Sequence, residues 1–326
     1  MISMKSNSSL LDGISVIICC YNSDWIIARC LDALKAQIIP IDLLWEVVLV
    51  DNNCSDATVQ IAKETMLDSG VDFSIVSEPE PGLMNARKRG ISAVKYKYCI
   101  YCDDDNLLST DYVTYMHNFL AFNSDVGAAG GKGIPEFECE PEIHFSNYAK
   151  GYAVGSQKTH PDYLFGAGLA LRTDVVRTIY DNFNIMLIGR NGSKLLSGDD
   201  LELVNYIRLM GYRLYPTDDV QYIHVLKTNR LTEEYRVRMY DGLMLAIPIG
   251  DMMNLAINNE PIFNYIISYL KSELTLILYG FMFWSKKDIS RMKRFVDTVR
   301  FWGIFKLVSV YINCLKVKNQ YRYIKR

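Results

Sequence analysis

Tyr98-Cys-Ile-Tyr-Cys-Asp-Asp-Asp105 is an apolar run that stops on three adjacent carboxylates. Such a run reads as a buried strand whose carboxyl end opens onto solvent or a ligand. Outward from it the pattern repeats. Ile14–Cys20 is a β-branched apolar run ending in Tyr21-Asn22, Trp45–Val50 ends in Asp51-Asn52-Asn53, and Phe73–Val76 is a further short strand. Between these runs, Asp24–Gln37 carries helical spacing through Ile27, Leu31 and Leu34, Ser55 or Asp56 caps a helix to about Leu67, and Gly82–Val94 reads as a third helix. Strands alternating with helices of this length predict right-handed βαβ units and a mostly parallel sheet covered on both faces. The carboxyl ends of such strands line the ligand crevice, so three polar clusters at three ends predict one site.

Beyond Asp105 the pattern loosens. Thr110–Phe122 reads as helix and Val126–Ala129 as strand, and Gly131–Leu164 reads as a loop-rich segment with many Pro, Gly, His and Glu residues. Phe165–Arg172 is small and apolar, with a helix expected from Thr173. Gly189–Gly198 is a polar, Gly-containing candidate lid. Leu201–Met210 is expected to be helical, Val220–Val225 is the last strand, and only helices are expected beyond about Asn229. Gly127-Ala-Ala-Gly-Gly-Lys132-Gly lacks the spacing of a phosphate loop. Nor does a G-x-G-x-x-G follow the first strand, which argues against a dinucleotide oxidoreductase. Cys99 and Cys102 form a C-x-x-C, but inside a strand, where buried small hydrophobes in a reducing compartment are the expected reading.

The carboxylates carry the chemistry. Asp103, Asp104 and Asp105 repel one another and call for a cation or strong hydrogen bonds. Alternate residues of an extended segment point the same way, so Asp103 and Asp105 are expected to address one ligand. Carboxylate oxygens suit Mg²⁺ or Mn²⁺, which in turn suit a diphosphate. The competing reading is a solvated acidic turn. Ser197-Gly-Asp199-Asp200 is likewise either a pair of working acids or a helix start with acids favouring the dipole.

The company these residues keep carries a resemblance. Ser15, Tyr21 and Asn22 come first, followed by Glu46-Val-Val-Leu-Val-Asp51-Asn-Asn-Cys-Ser-Asp56 and Glu80-Pro-Gly82-Leu-Met-Asn-Ala-Arg87-Lys-Arg-Gly90. The acidic triplet, Phe165-Gly-Ala-Gly168, Ser197-Gly-Asp-Asp200-Leu-Glu202-Leu, Gly211-Tyr-Arg and His224 follow. In this order they resemble the family 2 glycosyltransferases over about Ser15 to His224. The resemblance implies an α/β fold of GT-A type, a nucleotide-sugar-binding fold with a mostly parallel central sheet, followed here by a C-terminal helical region. It implies an inverting, metal-dependent transfer of a sugar from a nucleotide diphosphate donor to a hydroxyl of a glycan or lipid-linked acceptor, in bacterial surface polysaccharide synthesis. A UDP-sugar is the favoured donor and Mn²⁺ or Mg²⁺ the expected cofactor. Residue by residue, the resemblance implies nucleotide contacts for Tyr21, Asn22, Asp51, Arg87, Asp103 and Asp104, and metal ligation for Asp105, Asp103 and His224. Asp200 is implied as the catalytic base with Asp199 beside it, where the family often has Glu.

The expected organisation is a flexible N-terminus over 1–13 and a catalytic domain over 14–228, divided into a nucleotide-binding half (14–106) and an acceptor half (107–228). A basic helical region over 229–326 completes it. Met1–Gly13 is polar, without an apolar core of signal-peptide length, so a cytoplasmic chain is expected. Net charge is −2 overall, yet Ser285–Arg326 holds 12 Lys/Arg against 2 Asp/Glu. Leu274–Trp284 is too short to span a bilayer. Arg300-Phe-Trp-Gly-Ile-Phe-Lys306 interleaves charge with aromatics, as a helix does when it meets anionic lipid or packs on the body with its cations outward. Either an anionic membrane surface, on the inner face of the cell membrane, or the body itself is the expected partner of 285–326, and nucleic acid is not, because the body is acidic. Two other readings stay open: a Mg²⁺-dependent sugar nucleotidyltransferase and a non-catalytic scaffold on the same fold.

Overall fold

The computed structural model describes residues 10–141, 144–159, 162–187, 189, 197–277 and 286–322. The first half runs β1 (Leu11–Cys20), α1 (Ile27–Lys35), β2 (Trp45–Asp51), α2 (Thr58–Met66), β3 (Phe73–Ser77), α3 (Leu83–Ala93), β4 (Tyr96–Asp103) and β5 (Asn106–Leu108). The second half runs α4 (Tyr112–Phe122), β6 (Val126–Phe137), β7 (Leu169–Arg172), α5 (Thr173–Asn182), α6 (Asp199–Leu209) and β8 (Arg213–Leu226). Helices α7 (Glu233–Asn258), α8 (Phe263–Ile277), α9 (Lys286–Trp302) and α10 (Ile304–Arg322) follow.

One sheet collects these strands in the order β3-β2-β1-β4-β7-β6-β8-β5. Strands β1 to β4 pair in parallel, β7 is antiparallel to both neighbours, β6 pairs in parallel with β8, and β5 pairs antiparallel with β8. The near-continuous hydrophobicity of β1, β2 and β4 follows from cover on both faces. Ile17, Val48 and Cys99 enter one core and Val16, Val47 and Cys102 the other. The two cysteines of the C-x-x-C therefore sit on opposite faces of β4, buried and unbridged.

Two strand expectations need correction. β6 does not stop at Ala129 but continues to Phe137, through what reads as loop. β8 does not begin at Val220 but at Arg213. The two long strands run side by side from Val126↔Arg213 to Phe137↔Leu226, with register shifts between Val126 and Ala128 and between Gly130 and Lys132. The glycines belong to the packing. A Cβ on Gly131 would stand 2.7 Å from the Tyr112 ring, and one on Gly133 2.2 Å from the Ala153 carbonyl oxygen. The C-terminal helices share the larger core, where Ala246, Ile249 and Met253 of α7 and Leu307 and Cys314 of α10 join Leu203 and Ile207 of α6. The candidate lid Gly189–Gly198 and the apolar stretch Leu274–Trp284 lie largely outside the described residues, as do 1–9 of the N-terminus.

Candidate active site

The carboxyl ends of β1, β2 and β4 open into a cavity of about 350 Å³. Tyr21, Asn52, Arg87, the three aspartates 103–105, Asp199, Asp200 and His224 all line it. Each strand delivers its polar residue at the point where the apolar run ends, because the sheet interior excludes unpaired polar groups.

Asp103 is the last residue of β4, and Asp104 and Asp105 form the turn into β5. The Asp103 carboxylate is 37% exposed and lies 3.8 Å from the Arg87 guanidinium. Asp104 accepts a hydrogen bond from the Ser23 hydroxyl. Burial pushes its carboxyl up to about 7, with the Asp105 charge adding to the rise and Ser23 and Arg230 opposing it. Asp105 is buried, 3.4 Å from His224 Nε2 and 2.6 Å from Arg230. Antiparallel pairing of β5 with β8 brings them together by setting Asn106 opposite His224, and Val225 donates its backbone N–H to the Asp105 carbonyl at 2.9 Å.

His224 Nδ1 lies 2.7 Å from the Tyr152 carbonyl. A carbonyl only accepts, so Nδ1 donates, which leaves Nε2 to face Asp105. Asp105 Oδ1 also accepts from the Asn106 side-chain amide at 3.2 Å, and the carboxylate and imidazole 3.4 Å apart are a donor set a divalent cation can take. Among the described residues no group of three or more His, Cys, Asp or Glu side chains forms a metal site. One or two protein ligands, with the rest supplied by phosphate and water, is the mode Mg²⁺ commonly adopts, and imidazole adds compatibility with Mn²⁺.

The opposite wall is the start of α6. Asp199 is buried and paired with Arg87, which α3 inserts between the two acidic clusters beneath the Tyr101 ring, 5.0 Å from its centroid. Burial works against the Arg87 charge, but Asp199 and Asp103 outweigh it and the guanidinium stays protonated. Burial lifts the Asp199 carboxyl to about 6, against Arg87 and with Asp200 adding to the rise. Asp200 differs from its neighbour. It accepts from the Tyr163 hydroxyl at 2.8 Å, Gly166 N at 3.1 Å and Leu201 N at 2.8 Å, all neutral donors, and borders the cavity. Gly166 leaves room for the Arg87 guanidinium, which would stand 2.8 Å from a Cβ there.

Glu202 anchors the segment leading to the candidate lid. It is 1% exposed and accepts the backbone N–H groups of Met186 and Leu187 at 2.8 and 2.7 Å. Burial pushes its carboxyl up to about 7, while those two donors pull it down. An acid whose folded pKa is raised contributes most at low pH and loses that contribution as pH rises from its unfolded value through about 7. Glu202→Gln is therefore expected to stabilise the protein by about 2–3 kcal/mol at pH 8, with the gain fading toward pH 4.5. Urea denaturation at both pH values checks this, and a difference that does not change with pH would refute it.

The structure places the other expected residues less directly. Asn22 and Asp51 knit the strand-end turns, Asn22 accepting from Ser55 N and Asp51 from Cys54 N, each at 2.8 Å. Asn52, with no role foreseen, is buried and braces the wall, donating to the Glu78 and Glu80 carbonyls and accepting from Gly82 N. Sequence reasoning also missed Tyr163, Arg230, Lys150 and Tyr152, and Tyr235 and Leu243 of α7, all of which line the cavity. Only the position of Arg230, just past the last strand, offered a signal.

Comparison with known proteins bears on the family and the fold. The model of the family described as glycosyl transferase family 2 matches residues 15–178. The chain is 27% identical to the poly(ribitol-phosphate) beta-glucosyltransferase of Bacillus spizizenii over 157 residues, 44% of this chain and 24% of that protein. It is 28% identical over 129 residues to the poly-beta-1,6-N-acetyl-D-glucosamine synthase of Staphylococcus epidermidis, 39% of this chain and 30% of that one. The aligned part thus spans well under half the length of these curated relatives. In fold, the chain superposes on S. aureus TarS 1–349 in complex with UDP with a TM-score of 0.52 at 15% identity, covering 95% of this chain and 91% of that one. It superposes on the mannosyltransferase PcManGT from Pyrobaculum calidifontis, in complex with GDP-Man and Mn²⁺, with a TM-score of 0.51 at 18% identity, covering 91% and 73%. With the matched model spanning half the chain and the strand-end site in place, this protein belongs to glycosyl transferase family 2.

Proposed function

We propose that the chain is an inverting glycosyltransferase that moves a sugar from a nucleoside diphosphate donor to a hydroxyl of a glycan or lipid-linked acceptor in bacterial surface polysaccharide synthesis. The observation that carries this is the division of acids across one cavity. Asp103 and Asp105 stand on the sheet side with His224, while Asp200 stands on the α6 side, accepting from neutral groups. Asp199 is committed to Arg87, so it is not the nucleophile of a two-step route. One base facing one electrophile gives a single in-line displacement and inversion at the anomeric carbon. Asp200 takes the proton from the acceptor hydroxyl as the oxygen attacks, and Tyr163 and Gly166 hold the carboxylate in place. Tyr21 lies along the donor path, and Arg87 keeps Asp103 and Asp199 apart in charge terms.

Mn²⁺ or Mg²⁺ would be held by Asp105 and His224, with Asp103 left to its ion pair with Arg87 and not completing a three-ligand group, and when bound would supply neutralisation of charge on the departing diphosphate. A UDP-sugar is the favoured donor, as in the TarS complexes with UDP and UDP-GlcNAc, with GDP-mannose second. A thermal-shift series with UDP, GDP, dTDP and CDP, with and without Mn²⁺, tests the donor site. A Mn²⁺-dependent rise for one nucleotide, lost in Asp105→Ala, is expected. If no nucleotide shifts the folded protein, the assignment fails.

The C-terminal helices form the second part of the proposal. No helix among the described residues is long and apolar enough to cross a membrane. Phe301 and Phe305 are 61% and 88% exposed on either side of Gly303, with Lys293, Arg294, Arg300 and Lys306 also exposed on α9 and α10. Exposed aromatics among cations fit an anionic lipid surface, the place where a lipid-linked acceptor waits. Phosphatidylglycerol vesicles are expected to sediment the protein at low salt, and Phe301→Asp/Phe305→Asp to abolish this. Equal binding to phosphatidylcholine vesicles would discard the idea.

A further inference from the structure

Arg230 lies on the 3-10 turn Thr228–Arg230, between the end of β8 and the Thr232 cap of α7. Its backbone is fixed at both ends. Its N–H donates to the Lys227 carbonyl at 2.8 Å, and its carbonyl accepts from the Tyr152 hydroxyl at 3.0 Å. Its side chain is 24% exposed and borders the cavity, so a change of rotamer moves the guanidinium without moving the chain.

That guanidinium donates to Asp105 Oδ2 at 2.6 Å, while Oδ1 of the same carboxylate faces His224. Burial works against the Arg230 charge, but Asp105, Tyr235, Asp104 and Asp103 together keep it protonated. Three carboxylates in sequence need a counter-charge at every stage, before as well as after any ligand arrives. The guanidinium provides one, 2.6 Å from Asp105.

We propose that Arg230 is the stand-in cation of the ligand-free site: it holds Asp105 until a divalent ion arrives, and that ion binds by displacing it. This rests on the reading of Asp105 and His224 as the cation site and adds a competitor inside it. The displaced guanidinium still borders the cavity, where an incoming diphosphate is an anion it can take as its new partner. Cation binding and donor binding are thereby coupled. Without a diphosphate the ion must evict Arg230 at a loss, and with one the loss is made good.

The test is Mn²⁺ binding to the full chain without nucleotide, read from the free-ion electron paramagnetic resonance signal. Arg230→Gln and Arg230→Met are expected to bind Mn²⁺ roughly tenfold more tightly than wild type, the factor a charge-assisted hydrogen bond commonly carries. Arg230→Lys, which keeps the charge, returns toward the wild-type affinity. A merely structural arginine would give the opposite sign, since a damaged site binds metal less well. If Mn²⁺ binds through Asp105 but no more tightly in either neutral variant, the role of Arg230 is overturned and the cation site stands. If wild type and Arg230→Gln both bind no better than Asp105→Asn, the cation site itself falls, and the proposal with it.

Discussion

Asp200→Asn is expected to lower kcat roughly a thousandfold, within the range that loss of a general base produces. Nucleotide binding should survive, because Asp200 stands on the α6 wall and the acidic turn is untouched. The fold should survive as well, since the asparagine oxygen can still accept from Tyr163 and Gly166. The side-chain nitrogen would then face Leu201 N, a mismatch that costs about 1–2 kcal/mol. Asp199→Asn is the control. Its partner is Arg87 and its effect should appear in stability first. Initial rates with a nucleotide sugar, beside a nucleotide thermal shift, separate the two. Activity within tenfold of wild type in Asp200→Asn would remove the base assignment.

The second large effect concerns folding. Arg87→Met is expected to destabilise the protein by about 3–5 kcal/mol, because it leaves the buried Asp199 without its counter-ion. The more exposed Asp103 should matter less. Adding Asp199→Asn to Arg87→Met is expected to recover a large part of the loss, since a removed pair costs less than a broken one. Urea denaturation of the two single variants and the double variant measures the coupling. Strict additivity would show that the ion pair does not hold α3 against α6.

The contrast between these variants also marks how far sequence reasoning reaches. The strand ends were legible because β1, β2 and β4 are buried on both faces, so their apolar runs stop abruptly where side chains meet the cavity. The outer half of β6 was not, because Gly131, Gly133 and Pro135 look like loop until Tyr112 and the Ala153 carbonyl are seen pressed against them. The start of β8, with Pro216, Asp218 and Asp219, was hidden for a similar reason. At the site, the aspartates were visible as residues but not as partners. That Arg87 meets Asp199, 112 positions away, and Arg230 meets Asp105, 125 positions away, are facts of tertiary packing that no local pattern encodes.

Tyr235 and Leu243 of α7 line the same cavity as the acidic turn. The acidic turn and one wall of its pocket are thus written in distant stretches of the gene, free to diverge at different rates. A recombinant that keeps residues up to 228 and borrows its helices from a relative inherits the acids with a foreign wall. Its substrate range would follow the borrowed part, provided that Ala246, Ile249 and Leu307 are matched by residues that still fill the common core.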